Sequence, residues 1–326
     1  MKEERGRTRE YAKDRGYEQT VERLNRLLAG AAVPPSPPAR PVLFIAGLPR
    51  SGTTLLYQLV AAGGGFGYPS NFVARFYRRP AAGALAQALA APWLPRPEPS
   101  FSSRAGATPG WSEPHEFGYF WEGHFPFAEH HEPGKEALGR LDLTLLVGLL
   151  GELEETLGLA LAFKNVILSF VLDRLARDLP TARVVRIRRP YVDVALSLVA
   201  VRRAYFGSAE AWFSVRPAGA AEMLRRPAAE QIAFQIARVE AALDDARNAL
   251  GPDRWLEVEY GTLCTDPRAA LTRVAAFAGV DPAALDLGGV PERFVPRHRG
   301  GGDSTEAREL ARALAAAGLA EGDPSR

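Results

Sequence analysis

Residues 41–60 constrain the fold more than any other stretch of this chain. The apolar run Pro41-Val42-Leu43-Phe44-Ile45-Ala46 leads without a spacer into Gly47-Leu48-Pro49-Arg50-Ser51-Gly52-Thr53-Thr54, and apolar residues then recur at Leu55, Leu56, Leu59 and Val60. β-Branched and aromatic residues, a Gly/Pro/Ser turn and a helical period predict strand, loop and helix in immediate succession. Two glycines at that spacing between a strand and a helix are the setting of a phosphate-cradling loop, in which backbone amides and the positive end of the helix hold the anion. A tight strand-to-helix turn that needs glycine only for its backbone is the rival explanation.

Later segments repeat the alternation. Leu159–Phe163 and Ala182–Ile187 read as buried strands, each before a helical segment, and Trp255–Tyr260 reads as another before the helical stretch Asp266–Gly279. Gln231–Leu250 carries Ile232, Ile236, Val239 and Leu243 at helical spacing. Such alternation predicts an α/β fold, a P-loop-type parallel β-sheet flanked by helices. Residues 65–158 are rich in Gly, Pro and aromatics, and are expected to form helical insertions over the sheet, with Ala81–Ala91 as a surface or packing helix.

Three regions follow along the chain. Residues 1–40 comprise an amphipathic helix, with Tyr11, Tyr17, Val21, Leu24, Leu27 and Leu28 on its docking side, and a connector around Pro34-Pro35-Ser36-Pro37-Pro38 that cannot propagate a helix. Residues 41–303 form the α/β domain, and residues 304–326 a C-terminal helix and a fraying tail. A formal charge of +2 gives no reason for a broad nucleic-acid-binding surface, and any anion must be bound locally. Cys264, the single cysteine, permits neither an internal disulfide nor a cysteine-based zinc cage. The charged start Met1-Lys2-Glu3-Glu4-Arg5 and the absence of a long apolar run predict a cytoplasmic protein without a membrane span.

The loop departs from a phosphoryl-transfer loop in one informative way. Thr53 follows Gly52 where an NTPase has the lysine that reaches the β- and γ-phosphates, and the cation stands earlier, at Arg50. Pro49-Arg50-Ser51-Gly52-Thr53-Thr54 resembles the 5′-phosphosulfate loop of the PAPS-dependent sulfotransferase family. A second stretch, Arg188-Arg189-Pro190-Tyr191-Val192-Asp193-Val194-Ala195-Leu196-Ser197, resembles that family's 3′-phosphate signature, an arginine at a strand end with a serine eight positions later. The resemblance implies that Ser51, Gly52, Thr53 and Thr54 bind the 5′-phosphate and that Arg50 contacts the sulfuryl group or the departing oxygen. It implies too that Arg189, or Arg188 in a one-residue alternative, joins Ser197 on the 3′-phosphate. Tyr260 would lie near the nucleotide, Lys164 would face the sulfuryl group or solvent, and Arg297–Asp303 would be a closing loop or a solvated hinge. The donor would be 3′-phosphoadenosine 5′-phosphosulfate (PAPS), the product adenosine 3′,5′-bisphosphate (PAP), and no metal would be needed.

Sulfuryl transfer also requires a base for the acceptor's proton. Trp111-Ser112-Glu113-Pro114-His115-Glu116-Phe117 sets two carboxylates and a histidine among aromatics, with Glu113 and Glu116 spaced to share a helix face. Glu116 and His115 together are the expected base region, with Glu113 behind them; acids supporting a helix N-terminus explain the same pattern. Asn71, Arg75, Phe76, Tyr119 and Trp121 in the insertion suit a small-molecule or carbohydrate acceptor, or packing over the sheet. The competing functions are a P-loop kinase or hydrolase using ATP or GTP with magnesium, and a non-catalytic nucleotide-binding relative.

Overall fold

The computed structural model describes residues 13–30, 32–33, 36–96, 98–297 and 304–319. Its first half runs through α1 (Arg15–Leu28), β1 (Val42–Gly47), α2 (Thr53–Ala62), β2 (Phe66–Gly67), α3 (Pro80–Ala90), α4 (Gly118–His124), α5 (Lys135–Gly139) and α6 (Thr144–Leu157). The second half adds β3 (Ala160–Lys164), α7 (Leu172–Asp178), β4 (Ala182–Arg188), α8 (Tyr191–Phe206), α9 (Ala220–Met223) and α10 (Ala228–Leu250). It ends with β5 (Trp255–Glu259), α11 (Tyr260–Thr265), α12 (Pro267–Phe277) and α13 (Thr305–Ala316).

The strands form one parallel sheet in the order β2-β3-β1-β4-β5, the α/β layout expected from the alternation. All of β1 is buried, because helices cover both faces, the condition under which a parallel strand reads as an unbroken apolar run. Its successive side chains go to opposite faces. Val42, Phe44 and Ala46 join a core with α6, α7, α8, α10 and α13, whereas Leu43 and Ile45 join one with α2, α11 and α12, where Cys264 is also buried.

This topology creates the place for a ligand. From β1 the chain moves to β2 and β3 on one side, then crosses to β4 on the other. Helix α2 after β1 and helix α8 after β4 therefore pack on opposite faces. A crevice opens between the carboxyl ends of these two strands, the position at which open α/β sheets bind ligands. Gly47 is in register with Ile187, so residues 48–52 and 188–190 leave the sheet side by side.

The outlying segments are docked by side chains as much as by apolar area. In α1, Val21 is buried as expected, but Leu27 is 79% exposed and Asn25 takes its place, donating to Arg75 O at 2.7 Å and accepting from Arg78 N at 2.9 Å. The connector passes over α6 so closely that a Cβ on Gly151 would come within 1.9 Å of Ser36 O, and Arg40 is held by Glu154 through two 3.0 Å bonds. Helix α13 covers α8 and α10 with Ala307, Leu310 and Leu314. Residues 65–158 hold helices as expected and also the edge strand β2, too short to leave a periodic signal. Tyr11, Pro34, Pro35, 298–303 and the tail from 320 lie outside the described residues.

Candidate active site

The loop after β1 can be made only with its glycines. Gly47 has φ +147° and a Cβ there would stand 2.9 Å from Ile187 O, a backbone atom that cannot yield. Gly52, at φ +112°, caps α2, and a Cβ on it would lie 2.6 Å from the Tyr260 ring. Arg50 between them is itself left-handed, φ +73°, a strained conformation for a residue with a side chain. The turn is closed by Ser51 N donating to Leu48 O at 3.1 Å. The Ser51 side chain is completely buried with no hydrogen-bond partner for its Oγ. An orphaned hydroxyl beneath the unpaired first amides of a helix leaves hydrogen-bonding capacity of the kind an anion can use.

The second signature closes on the first. Arg189 donates to Arg50 O at 2.9 Å, bonds Arg297 O, and lays its guanidinium over the Tyr260 ring at 4.6 Å. Ser197, buried two turns into α8, accepts from Arg50 Nε at 3.3 Å. The neighbouring Arg188 is instead turned to β5, where it meets Glu257 at 3.2 Å and Glu259 at 3.9 Å. Alternation along the end of β4 thus gives one arginine to the sheet edge and the other to the crevice.

The crevice holds a cavity of about 510 Å³ lined by Arg50, Gly52, Thr53, Thr54, Glu116, Lys164, Arg189, Ser197 and Tyr260 among others. Among the described residues its charged lining consists of Arg50, Lys164, Arg189 and Arg297 against the single carboxylate of Glu116, a field suited to a polyanion. Lys164 ends β3 almost fully buried and pairs with Glu116 Oε1. The Glu116 backbone is fixed by Asn165, whose Nδ2 donates to its carbonyl at 3.0 Å. A buried ammonium is tolerable because a carboxylate faces it.

The helix expected around Glu113 and Glu116 does not form. Residues 112–116 pair with 69–71 instead: Asn71 N donates to Glu113 O and His115 N to Pro69 O, both at 2.9 Å, and α4 begins only at Gly118, after Phe117 turns the chain at φ +60°. The three acidic and basic side chains therefore part. Glu113 is buried away from the cavity, accepting from Gln58 and Ser100 N at 2.8 Å each. His115 lines a second cavity, and its Nδ1 accepts from Phe117 N at 2.9 Å. Burial, with Arg75 nearby, pushes its pKa down to about 4. Only Glu116 reaches the cavity of Arg50. Of the aromatics expected around an acceptor, Trp121 is a core residue between Phe44 and Phe163, and Tyr119 bonds Glu18 and Lys13 of the N-terminal region.

Several wall residues had no sequence signal. Phe101, Ala105, Gly106, Phe213, Ser214 and Phe294 also line the cavity. Among the described residues, the non-glycine residues with positive φ are Arg50, Phe101, Ala105, Phe117 and Ser214. Four of these line the cavity and the fifth follows Glu116, the clustering of backbone strain that marks functional sites.

Among the described residues no helix is long and apolar enough to cross a membrane, and no group of His, Cys, Asp and Glu is gathered as for a metal ion. Among curated proteins no match was found. Similar solved structures include sulfotransferase STF9 from Mycobacterium avium, at 15% identity over 92% of this chain and 72% of that one, with a TM-score of 0.48. A sulfotransferase from Alicyclobacillus acidocaldarius aligns at 18% identity over 86% and 93% of the two chains, TM-score 0.43. The sequence pattern of the Sulfotransferase family matches residues 41–283. Since that match takes in residues 47–54 and 188–197 and well over half of the chain, this protein belongs to the sulfotransferase family.

Proposed function

We propose that the protein moves a sulfuryl group from PAPS to a hydroxyl or amine of a small-molecule or carbohydrate acceptor by in-line displacement. The observation that carries this reading is the junction of two separated signatures in one cavity, where Arg50 Nε stands 3.3 Å from Ser197 Oγ and Arg189 bonds Arg50 O at 2.9 Å. A donor with phosphate at both its 3′ and 5′ positions needs two such holds at once.

When bound, PAPS supplies the sulfuryl group, whose bond to the 5′-phosphate oxygen breaks as the acceptor's atom bonds to sulfur. The amides at the start of α2, with Ser51, Thr53 and Thr54, hold the 5′-phosphate, and Gly52 admits the Tyr260 ring. Arg189 and Ser197 hold the 3′-phosphate by a planar fork and a hydroxyl. Arg50 sits between the two holds and offsets the charge that gathers on the departing oxygen. Glu116 takes the acceptor's proton; His115 has no part in this, since it opens to the other cavity and its Nδ1 is occupied. As Glu116 becomes neutral, the Lys164 ammonium is released toward the reacting group.

The test begins with thermal-shift titration. PAP is expected to stabilise the protein, by about 2.7 kcal/mol at a hundred times its Kd, and ATP with Mg²⁺ to leave it unchanged. The reverse result would assign the loop to a kinase or hydrolase. Labelled PAPS with a panel of hydroxyl compounds then detects transfer, and binding without transfer to any of them would identify a non-catalytic relative.

A further inference from the structure

A second cavity of about 530 Å³ lies behind the wall that carries Glu116. It is lined by Tyr17 of α1, by Asn71, Phe72, Arg75 and Phe76, and by Ala107, Thr108, Gly110, Trp111 and His115. Phe72 and Phe76 are stacked, with centroids 5.8 Å apart and planes inclined at 22°. Trp111 is fixed by its indole N–H on Pro95 O at 3.0 Å. Asn71 Nδ2 is spent on Thr108 O at 2.9 Å and Gly110 O at 2.7 Å, which holds the floor in place. These rings are preorganised as flat apolar walls, so a planar guest loses little on entering.

Among the described residues the one cation of the lining is Arg75. Its Nε donates to Asn71 O at 3.1 Å and its guanidinium lies over the Tyr17 ring at 5.3 Å. Among the described residues no carboxylate lies within ion-pair distance of it, and its two terminal nitrogens make no hydrogen bond. A half-buried guanidinium in the lining of an aromatic cavity matches a carboxylate, which takes two parallel N–H bonds from it. The two cavities are separated by one turn of chain. Ala105 and Gly106 line the first and Ala107 and Thr108 the second, and Arg104 and Ala107 close that turn by exchanging backbone bonds of 2.8 and 3.0 Å. Glu116 and His115, consecutive in the chain, open to the first and the second in the same way.

We propose that the second cavity is a recognition site for an aromatic ring bearing a carboxylate, gripped by Arg75 between the rings of Phe72, Phe76, Tyr17 and Trp111. It is the site of the acceptor's remote part, which lies there while the acceptor's hydroxyl passes the Ala105-Gly106 turn to Glu116. Its role as an acceptor site rests on the transfer reaction proposed above; its ligand chemistry does not.

The probe is 3-(4-hydroxyphenyl)propanoate, compared with its methyl ester by calorimetric titration of the full chain. The acid is expected to bind about tenfold more tightly than the ester, and Arg75→Gln to erase the difference. Ala107→Trp, which fills the cavity, should abolish binding of both. PAP affinity should be unchanged in each variant, which reports that the variants are folded. Equal binding of acid and ester, a preference that survives Arg75→Gln, or displacement of the acid by PAP would overturn the site. With labelled PAPS, kcat/KM for the acid should exceed that for the ester by about the same factor. Arg75-dependent binding of the acid without transfer from PAPS would leave the ligand site standing and overturn its role as the acceptor's site; no transfer to any hydroxyl compound would overturn the transfer reaction.

Discussion

The two sides of the active-site cavity are built by different means. The proposed nucleotide side, residues 47–54 and 188–197, hangs from adjacent strands whose register sets the two loops beside each other. The proposed acceptor side, residues 98–117, has no regular structure, and is stitched to its surroundings by side-chain bonds from Gln58, Asn71 and Asn165 and a few backbone bonds with residues 69–72. A sheet edge gives a rigid hold for a ligand that never varies, whereas a stitched loop can be re-cut for a new acceptor without disturbing the sheet.

The sharpest way to separate the two sides is Glu116→Gln. Transfer should fall about 10²–10⁴-fold in kcat, with PAP affinity unchanged by calorimetry; a parallel loss of PAP binding would show that the sides are not independent.

Acid is the next lever. Burial holds both His115 and His124 down to about 4, below the unfolded value near 6.5. A lowered histidine pKa means that the unfolded chain binds the extra proton first. The stabilisation is thus complete above pH 6.5 and lost as pH falls through 4, by about 2–3 kcal/mol for each histidine. His115 belongs to that side and His124 to α4, which follows it directly, so protection from hydrogen exchange, corrected for the intrinsic pH dependence of the exchange rate, should fall between pH 7 and 4.5 in residues 98–124 before it falls in β1 and β4. Exchange rising first in the sheet would break the distinction.

Arg189→Ala should weaken PAP about 10–100-fold and adenosine 5′-phosphate by less than about threefold, since one charged hold is lost and the other remains. Equal loss for both nucleotides would move Arg189 off the 3′-phosphate. The smallest expected effect is that of Glu113→Gln, which removes one acceptor from the Gln58 and Ser100 bonds. It should cost about 1 kcal/mol of stability, seen in Tm, and raise acceptor KM severalfold with PAP affinity unmoved.

The same division decides what could be read from the residues alone. The strand, loop and helix at 41–60 and the arginine–serine spacing at 189–197 are local patterns, and the sheet only had to bring them together. That Arg189 lines the cavity while Arg188 turns to β5 depends on the direction of side chains at the end of β4. The acceptor wall depends on contacts far apart in the chain. Glu113 and Glu116 looked helical because their spacing fits a helix, but the pairing of 112–116 with 69–71 is invisible to periodicity. Phe101, Ala105 and Ser214 adopt left-handed backbone that nothing in their chemistry announces. His115 and Glu116 are adjacent in the chain, and only the fold of the wall turns them to different cavities.

In the proposed mechanism Lys164 gives each cycle a debt to settle. A turnover that leaves a hydrogen on Glu116 would leave this ammonium uncompensated in a chamber already rich in positive charge, at the moment when the proposed bisphosphate product must depart. Departure is therefore slow until solvent reclaims the hydrogen, and steady-state turnover should quicken with added buffer base and slow in heavy water even where the chemical step is fast.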